Sequence, residues 1–444
     1  MPTSIHHPRL AGLILLGTLI MISCATTNTE LPADPAHAPI DEVAAAYTKL
    51  VLHLGEHDNG YVDAYHGPGE WREAAQANAK SLAQIKLEAE ALLSKLGRLD
   101  APTGNELERL RYDFLIAQLQ ALIARADMLE GREFTFDEES QALYNAVSPS
   151  YPASHYDEIL AQIDALVPGE GSLPERVNAF KDRFIIPIDS LDKVFRTAIK
   201  EARQRTLAAI ELPENESFRL EFVTGQAWSA YNWYQGDYQS LIQVNTNLPI
   251  HISRAVDLAS HEGYPGHHVY NMLLEQHLVN ERGWVEFSVF PLYSPSALIA
   301  EGTANYGIEV AFPGEDRIRF EKEVLFPLAG LDPAQAGKYY QVLALTAQLD
   351  YAKNEAARGY LDGTMTADQA VEWMIQYNLS SPKRARQRLR FVDIYRSYVI
   401  NYNLGQDMVR RYVESQGGTD DNPRRRWEVF QQLLASPRLA SGLL

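Results

Sequence analysis

The sequence predicts a mainly α-helical fold, on three observations. Apolar residues recur at three- and four-residue intervals, with charged faces between them, across Ile40–Leu54, Ser81–Leu96, Glu106–Leu129 and Pro174–Leu212, and that is the helical period. Strand signal is scarce, and its best candidate is Ser240–Thr246. No low-complexity linker or internal repeat interrupts the chain after its leader. One large helical unit in two halves, 42–215 and 216–444, is therefore the simplest organisation.

The N-terminus reads as a leader outside that unit. Met1–Arg9 carries one basic side chain, and Leu10–Ile22 is an apolar run without charge. It is shorter than the roughly 20 residues a bilayer span needs, and it suits a secretory signal over residues 1–23. The run ends Met21-Ile22-Ser23-Cys24, which resembles a bacterial lipobox, and Cys24 is the only cysteine of the 444 residues. The expected mature chain starts at a diacylated Cys24, since two acyl chains suffice for stable anchoring. Ala25 rather than aspartate after it favours the periplasmic face of the outer membrane, by resemblance to lipoprotein sorting. Residues 24–41, rich in threonine, proline and acids with no aromatic residue, read as a flexible tether.

The formal charge is −18, and −19 without residues 1–23, which hold Arg9 and no acid. Such an excess argues against a nucleic-acid partner and against electrostatic attachment to anionic lipid.

The chemistry concentrates in His261-Glu262-Gly-Tyr-Pro-Gly-His267-His268, with Glu301 following in Ala300-Glu301-Gly302. Two imidazoles and one carboxylate are the protein ligands of a catalytic zinc ion that keeps one position open. A further glutamate beside the first histidine is the usual base. The spacing is unusual, because ligands on one helix face stand at i and i+4. On a straight helix i+6 lies roughly 120° round the axis and i+7 about 10 Å along it. Pro265 cannot donate to the preceding turn and clashes with it, so with Gly263 and Gly266 beside it a kink or π-type bulge is expected. Looping two residues out brings His267 to the place of the i+4 ligand, with His268 as neighbour or alternative.

H-E-x-x-P-G-H-H followed by E-G-x-A-x-Y resembles the bacterial family catalogued as domain of unknown function 885. That family is similar to the gluzincin metallopeptidases, such as carboxypeptidase Taq and the thimet oligopeptidase and angiotensin-converting enzyme groups. Their H-E-x-G-H aligns Gly266-His267 with the second ligand. The resemblance implies a gluzincin-like helical fold, one zinc per chain on His261, His267 and Glu301, Glu262 as general base, and a peptide substrate. It extends to Tyr61-Val-Asp-Ala-Tyr-His-Gly-Pro68. The chain departs from it at Thr303, where the family has tryptophan, and at Ile308, where a later glutamate is usual and Glu309 comes one residue on. In gluzincins an edge strand precedes the metal helix and pairs with extended substrate. Ser240–Thr246 is the expected counterpart, with Asn245 as a candidate substrate contact.

Softer candidates complete the set. Asp257, four residues before His261, could accept that ligand's other ring N–H. Asn401-Tyr402-Asn-Leu-Gly405 resembles the family's tyrosine-x-x-glycine segment, and Tyr402 could donate to a developing oxyanion. Arg390 and Arg396 could hold a substrate carboxylate. His53-Leu-Gly-Glu56-His57 matches H-x-x-E-H, yet Gly55 and Asp58-Asn59-Gly60 end a helix there. An amidase or esterase would use the same residues, and a lipoprotein scaffold with a vestigial site is the reading from another class.

Overall fold

A computed structural model describes residues 38–444; the expected signal, Cys24 and nearly all of the expected tether lie outside the described residues. Helices form where the periodicity places them. Ala38–Gly55 ends at Gly55, ahead of the Asp58-Asn59-Gly60 turn. Leu82–Leu96 starts at a reciprocal cap in which Ser81 and Gln84 satisfy each other's backbone N–H. Glu106–Leu129 is capped by Asn105, which accepts from Leu107 N–H. The expected long helix over 174–212 is broken instead. It runs as Leu173–Asp182 and Leu191–Leu207, because Pro187 holds the residue before it extended and residues 184–186 pair with 250–252.

The helix that carries Glu301 spans Pro295–Ala311, and fourteen of its seventeen residues are buried. A helix covered all round lies inside the fold, so Glu301 is delivered from the middle of the core. Its main neighbour is Ile400–Ser415, which carries Tyr402. No helix among the described residues is long and apolar enough to cross a membrane.

Among the described residues five strands make two small sheets. β1 (Val62–Tyr65) pairs antiparallel with β5 (Val289–Pro291). In the other sheet β4 (Gln239–Asn245) lies between β2 (Ser217–Val223), parallel to it, and β3 (Ala230–Gly236), antiparallel. The β3–β4 turn places Asp237 and Tyr238 at positive φ, as a tight hairpin requires. The strand expected before the histidine segment is therefore present, but central rather than at an edge. Both its backbone edges are paired, so it has none left for a substrate; the correction comes from β2, whose pairing is remote in sequence. The buried face of this sheet rests on the histidine segment, with Phe218 against Tyr264 and His268.

Candidate metal centre

The chain reaches the centre through a broken helix. An α-helical turn over Ser253–Leu258 passes into a π turn over Ala259–Gly263, and a new helix begins at His267. Between them Tyr264 is extended, its N–H bonded to the carbonyl of Ala259 at 3.0 Å, and Gly266 N–H bonds Ser260 O at 2.9 Å. A Cβ on Gly266 would lie 1.9 Å from His261 O, so only glycine allows the chain to fold back this closely. The break is larger than a bulge, and its result is a pair of imidazoles with ring centroids 4.7 Å apart at 88°.

His268 points away from that pair. Its Nε2 lies 3.1 Å from Glu216 Oε2 and its Nδ1 2.8 Å from Ser240 Oγ, with no exposure. Glu216 also accepts from Tyr264 Oη and from Arg203. Burial pushes the Glu216 carboxyl up, but these donors outweigh it and hold it below the ordinary range. The clamp fixes both ends of the break, Tyr264 and His268, and thereby turns His267 toward His261.

Glu301 Oε2 lies 3.2 Å from His261 Nε2 and 3.6 Å from His267 Nε2. Ligands about 2.0–2.2 Å from a tetrahedral zinc ion stand roughly 3.3–3.5 Å apart, so the spacing fits a single ion. Glu301 Oε2 is buried and has no aligned hydrogen-bond donor, a cost that a bound cation would remove. Among the described residues these three form the only group of histidine, cysteine or acidic side chains with ligand atoms so placed. The three side chains retain 8–16 % exposure.

Neighbours orient the ligands. His261 Nδ1 lies 3.0 Å from Asn305 Oδ1, and Asn305 Nδ2 donates to Tyr402 O at 2.9 Å. With its amide nitrogen committed, Asn305 accepts from Nδ1–H and leaves the Nε2 lone pair for the centre. Tyr398 Oη donates to Glu301 Oε1 at 2.8 Å. Glu262 Oε1 lies 4.0 Å from His261 Nε2, Asn232 Nδ2 donates to the Glu262 carbonyl at 2.7 Å, and burial raises the carboxyl pKa. The Tyr402 ring runs nearly parallel to that of His261, centroids 6.4 Å apart, and burial keeps its phenol protonated. Burial lowers the His267 pKa, but the Glu301 carboxylate outweighs it and pushes it up to about 9; the imidazoles likewise overcome burial to hold Glu301 well below the ordinary range.

Several expected site residues lie elsewhere. Asp257 pairs with Arg317 at 2.7 Å and Arg254 at 3.2 Å, because a half-buried carboxylate takes the stronger cationic donors, and Asn305 has its expected place. Arg396 bonds Glu139 at 2.6 Å. Arg390 lines a surface depression with Asp368 and Asp393. Asn245 is engaged by the loop between β2 and β3, donating to the carbonyls of Gln226 and Trp228. Glu309 binds Gln406 and Arg410, and His57 lies against Lys80 O. Sequence reasoning missed Asn305, Tyr398, Glu216 and Asp63. Asn305 lies four residues after Glu301 and Tyr398 four before Tyr402, so helical spacing from the motif residues was the available signal.

No family model matches the chain, and no curated protein matches it either. Among solved structures it is similar to a candidate lipoprotein from Colwellia psychrerythraea, at 15 % identity and a TM-score of 0.51, covering 84 % of this chain and 70 % of that one. A candidate lipoprotein of unknown function from Shewanella oneidensis matches at 14 % identity and 0.42, covering 82 % and 75 %. A carboxypeptidase of family M32 from Deinococcus radiodurans R1 matches at 13 % and 0.36, covering 88 % and 89 %. The first likeness is one of fold, and the other two are too slight to bear on activity. The fold is mainly helical, as the periodicity predicts, and it is shared with that Colwellia protein.

Proposed function

We propose that the chain is a zinc-dependent peptidase of the cell envelope, with one ion held by His261, His267 and Glu301. The observation that carries this reading is the convergence of the buried Glu301 Oε2 with two imidazole nitrogens, 3.2 and 3.6 Å away, in one cluster of three ligand atoms. Zinc held there supplies Lewis acidity, bringing the pKa of water toward 7 and polarising a carbonyl. Glu262, its basicity raised by burial, takes the proton of the attacking water and passes it to the leaving nitrogen. Tyr402 donates its phenolic hydrogen to the oxyanion of the tetrahedral intermediate. Asn305 and Tyr398 hold His261 and Glu301 in their rotamers.

In this reading residues 216–444 are the catalytic half, and 42–215 a helical half that backs it. The leader and Cys24 support an exported, lipid-anchored protein, and the Colwellia protein of shared fold is itself described as a candidate lipoprotein. Digestion of a peptide library by zinc-loaded protein tests the activity. New amino termini should appear with wild type and vanish with Glu262→Gln while zinc stays bound. Equal cleavage by Glu262→Gln would remove Glu262 as base, and no cleavage by zinc-loaded wild type would refute the peptidase.

A further inference from the structure

Asp63 is a charged side chain that the mechanism leaves unused; it is tied to the centre through β3, where Tyr231 holds it and the next residue, Asn232, donates to the Glu262 carbonyl. It sits at a register shift in the β1–β5 pair, between Val62 opposite Pro291 and Ala64 opposite Phe290. Such irregularities re-aim a side chain, and they gather beside active sites. Its Oδ1 accepts from the hydroxyl of Tyr231 on β3. Burial pushes its carboxyl up to about 6, and it feels the charges of His267, Glu301 and Glu262. Among the described residues no lysine or arginine pairs with it. A partly buried carboxylate held by a single tyrosine lacks a cation.

The charges at the centre say which cation suits it. Asp63, Glu262 and Glu301 bring three carboxylates to two imidazoles; a divalent ion leaves one negative charge unmatched among these groups, and the guanidinium groups nearby are felt by others, Arg254 by Glu262 and Arg388 by Tyr402. The two arginines that the sequence offered for a substrate carboxylate are elsewhere, Arg396 on Glu139 and Arg390 on the surface, and Arg388 is stacked over the rings of Phe391 and Tyr402.

Building on the peptidase reading, we infer that Asp63, steadied by Tyr231, receives the free α-ammonium group of the peptide, so that cleavage falls close to the substrate's amino terminus. A charge-assisted bond of this kind, partly desolvated, is worth about 10- to 100-fold in recognition.

The test compares zinc-loaded wild type and Asp63→Asn on a short-peptide library in three forms: unmodified, N-acetylated and C-amidated. Asparagine keeps an acceptor for the Tyr231 hydroxyl, so the fold has no reason to change. Wild type should cleave unmodified peptides with kcat/KM at least about tenfold above acetylated ones. Asp63→Asn should lose that margin through the unmodified peptides alone, leaving acetylated ones unchanged. In the inactive Glu262→Gln background, calorimetry should show the same preference in binding, and adding Asp63→Asn should abolish it. Equal wild-type cleavage of free and acetylated peptides would overturn the role of Asp63 while leaving the peptidase intact. So would a preference lost on amidation instead, which would point to Arg388 over the rings of Phe391 and Tyr402. Cleavage of none of the three forms refutes the peptidase reading itself, and the role of Asp63 with it.

Discussion

Gly302 and Gly405 meet backbone to backbone: a Cβ on Gly302 would lie 2.5 Å from the carbonyl carbon and oxygen of Gly405, and one on Gly405 2.7 Å from Leu298 O. This contact lets the helices Pro295–Ala311 and Ile400–Ser415 touch without side chains between them. Glu301 precedes one glycine and Tyr402 stands three residues before the other. The same approach puts Asn305 within reach of the Tyr402 carbonyl and Tyr398 within reach of Glu301.

Gly302→Ala should therefore destabilise the fold by about 1–3 kcal/mol, the usual cost of overpacking, and weaken zinc binding by shifting Glu301. Gly337→Ala is the control, since its Cβ would meet nothing within 4 Å in an exposed helical position and alanine is the better helix former. Thermal unfolding of the two variants decides it. A Gly302→Ala protein as stable as wild type would show that the helices can part without loss.

What was legible in the sequence was local. Leu82–Leu96 and Glu106–Leu129 follow from periodicity, because packing did not override it. The convergence of His261 and His267 could be reasoned from what Pro265 and Gly266 forbid. What was not legible depends on partners distant in the chain. Asp257 finds Arg317, sixty residues on; Arg396 finds Glu139, 257 residues away. Ser240–Asn245 becomes central because Ser217–Val223 pairs beside it. Glu216 has no motif at all, and its role appears only when Tyr264, His268 and Arg203 close around it.

Zinc uptake should release a proton. In the metal-free chain His267 titrates at about 9, above the ordinary histidine value, so at pH 7.5 the folded site is protonated there. Zinc needs the neutral imidazole. Binding should then release about one proton at pH 7.5, and apparent affinity should fall about tenfold per pH unit on descending below 9. The raised pKa also means that the metal-free fold gains from this proton fully below 6.5 and loses that gain as pH rises through 9. Calorimetry in buffers of different ionisation enthalpy measures the release; heats independent of buffer would contradict it.

Cys24→Ser should move the protein out of the membrane fraction, because no helix among the described residues can span a bilayer and the proposed anchor is the lipid on Cys24. Fractionation of cells, followed by a carbonate wash, reads the outcome. A serine variant that stays with membranes through the wash would rule out the lipid anchor.

The metal centre itself is tested most directly by counting zinc in wild type, His267→Ala and His268→Ala, each purified without residues 1–24. His267 Nε2 faces Glu301 Oε2, whereas both nitrogens of His268 are engaged with Glu216 and Ser240. Elemental analysis should find one zinc per chain in wild type, none in His267→Ala, and near-complete occupancy in His268→Ala, reduced only as far as a loosened clamp allows. Retention of zinc by His267→Ala together with its loss from His268→Ala would contradict the assigned centre.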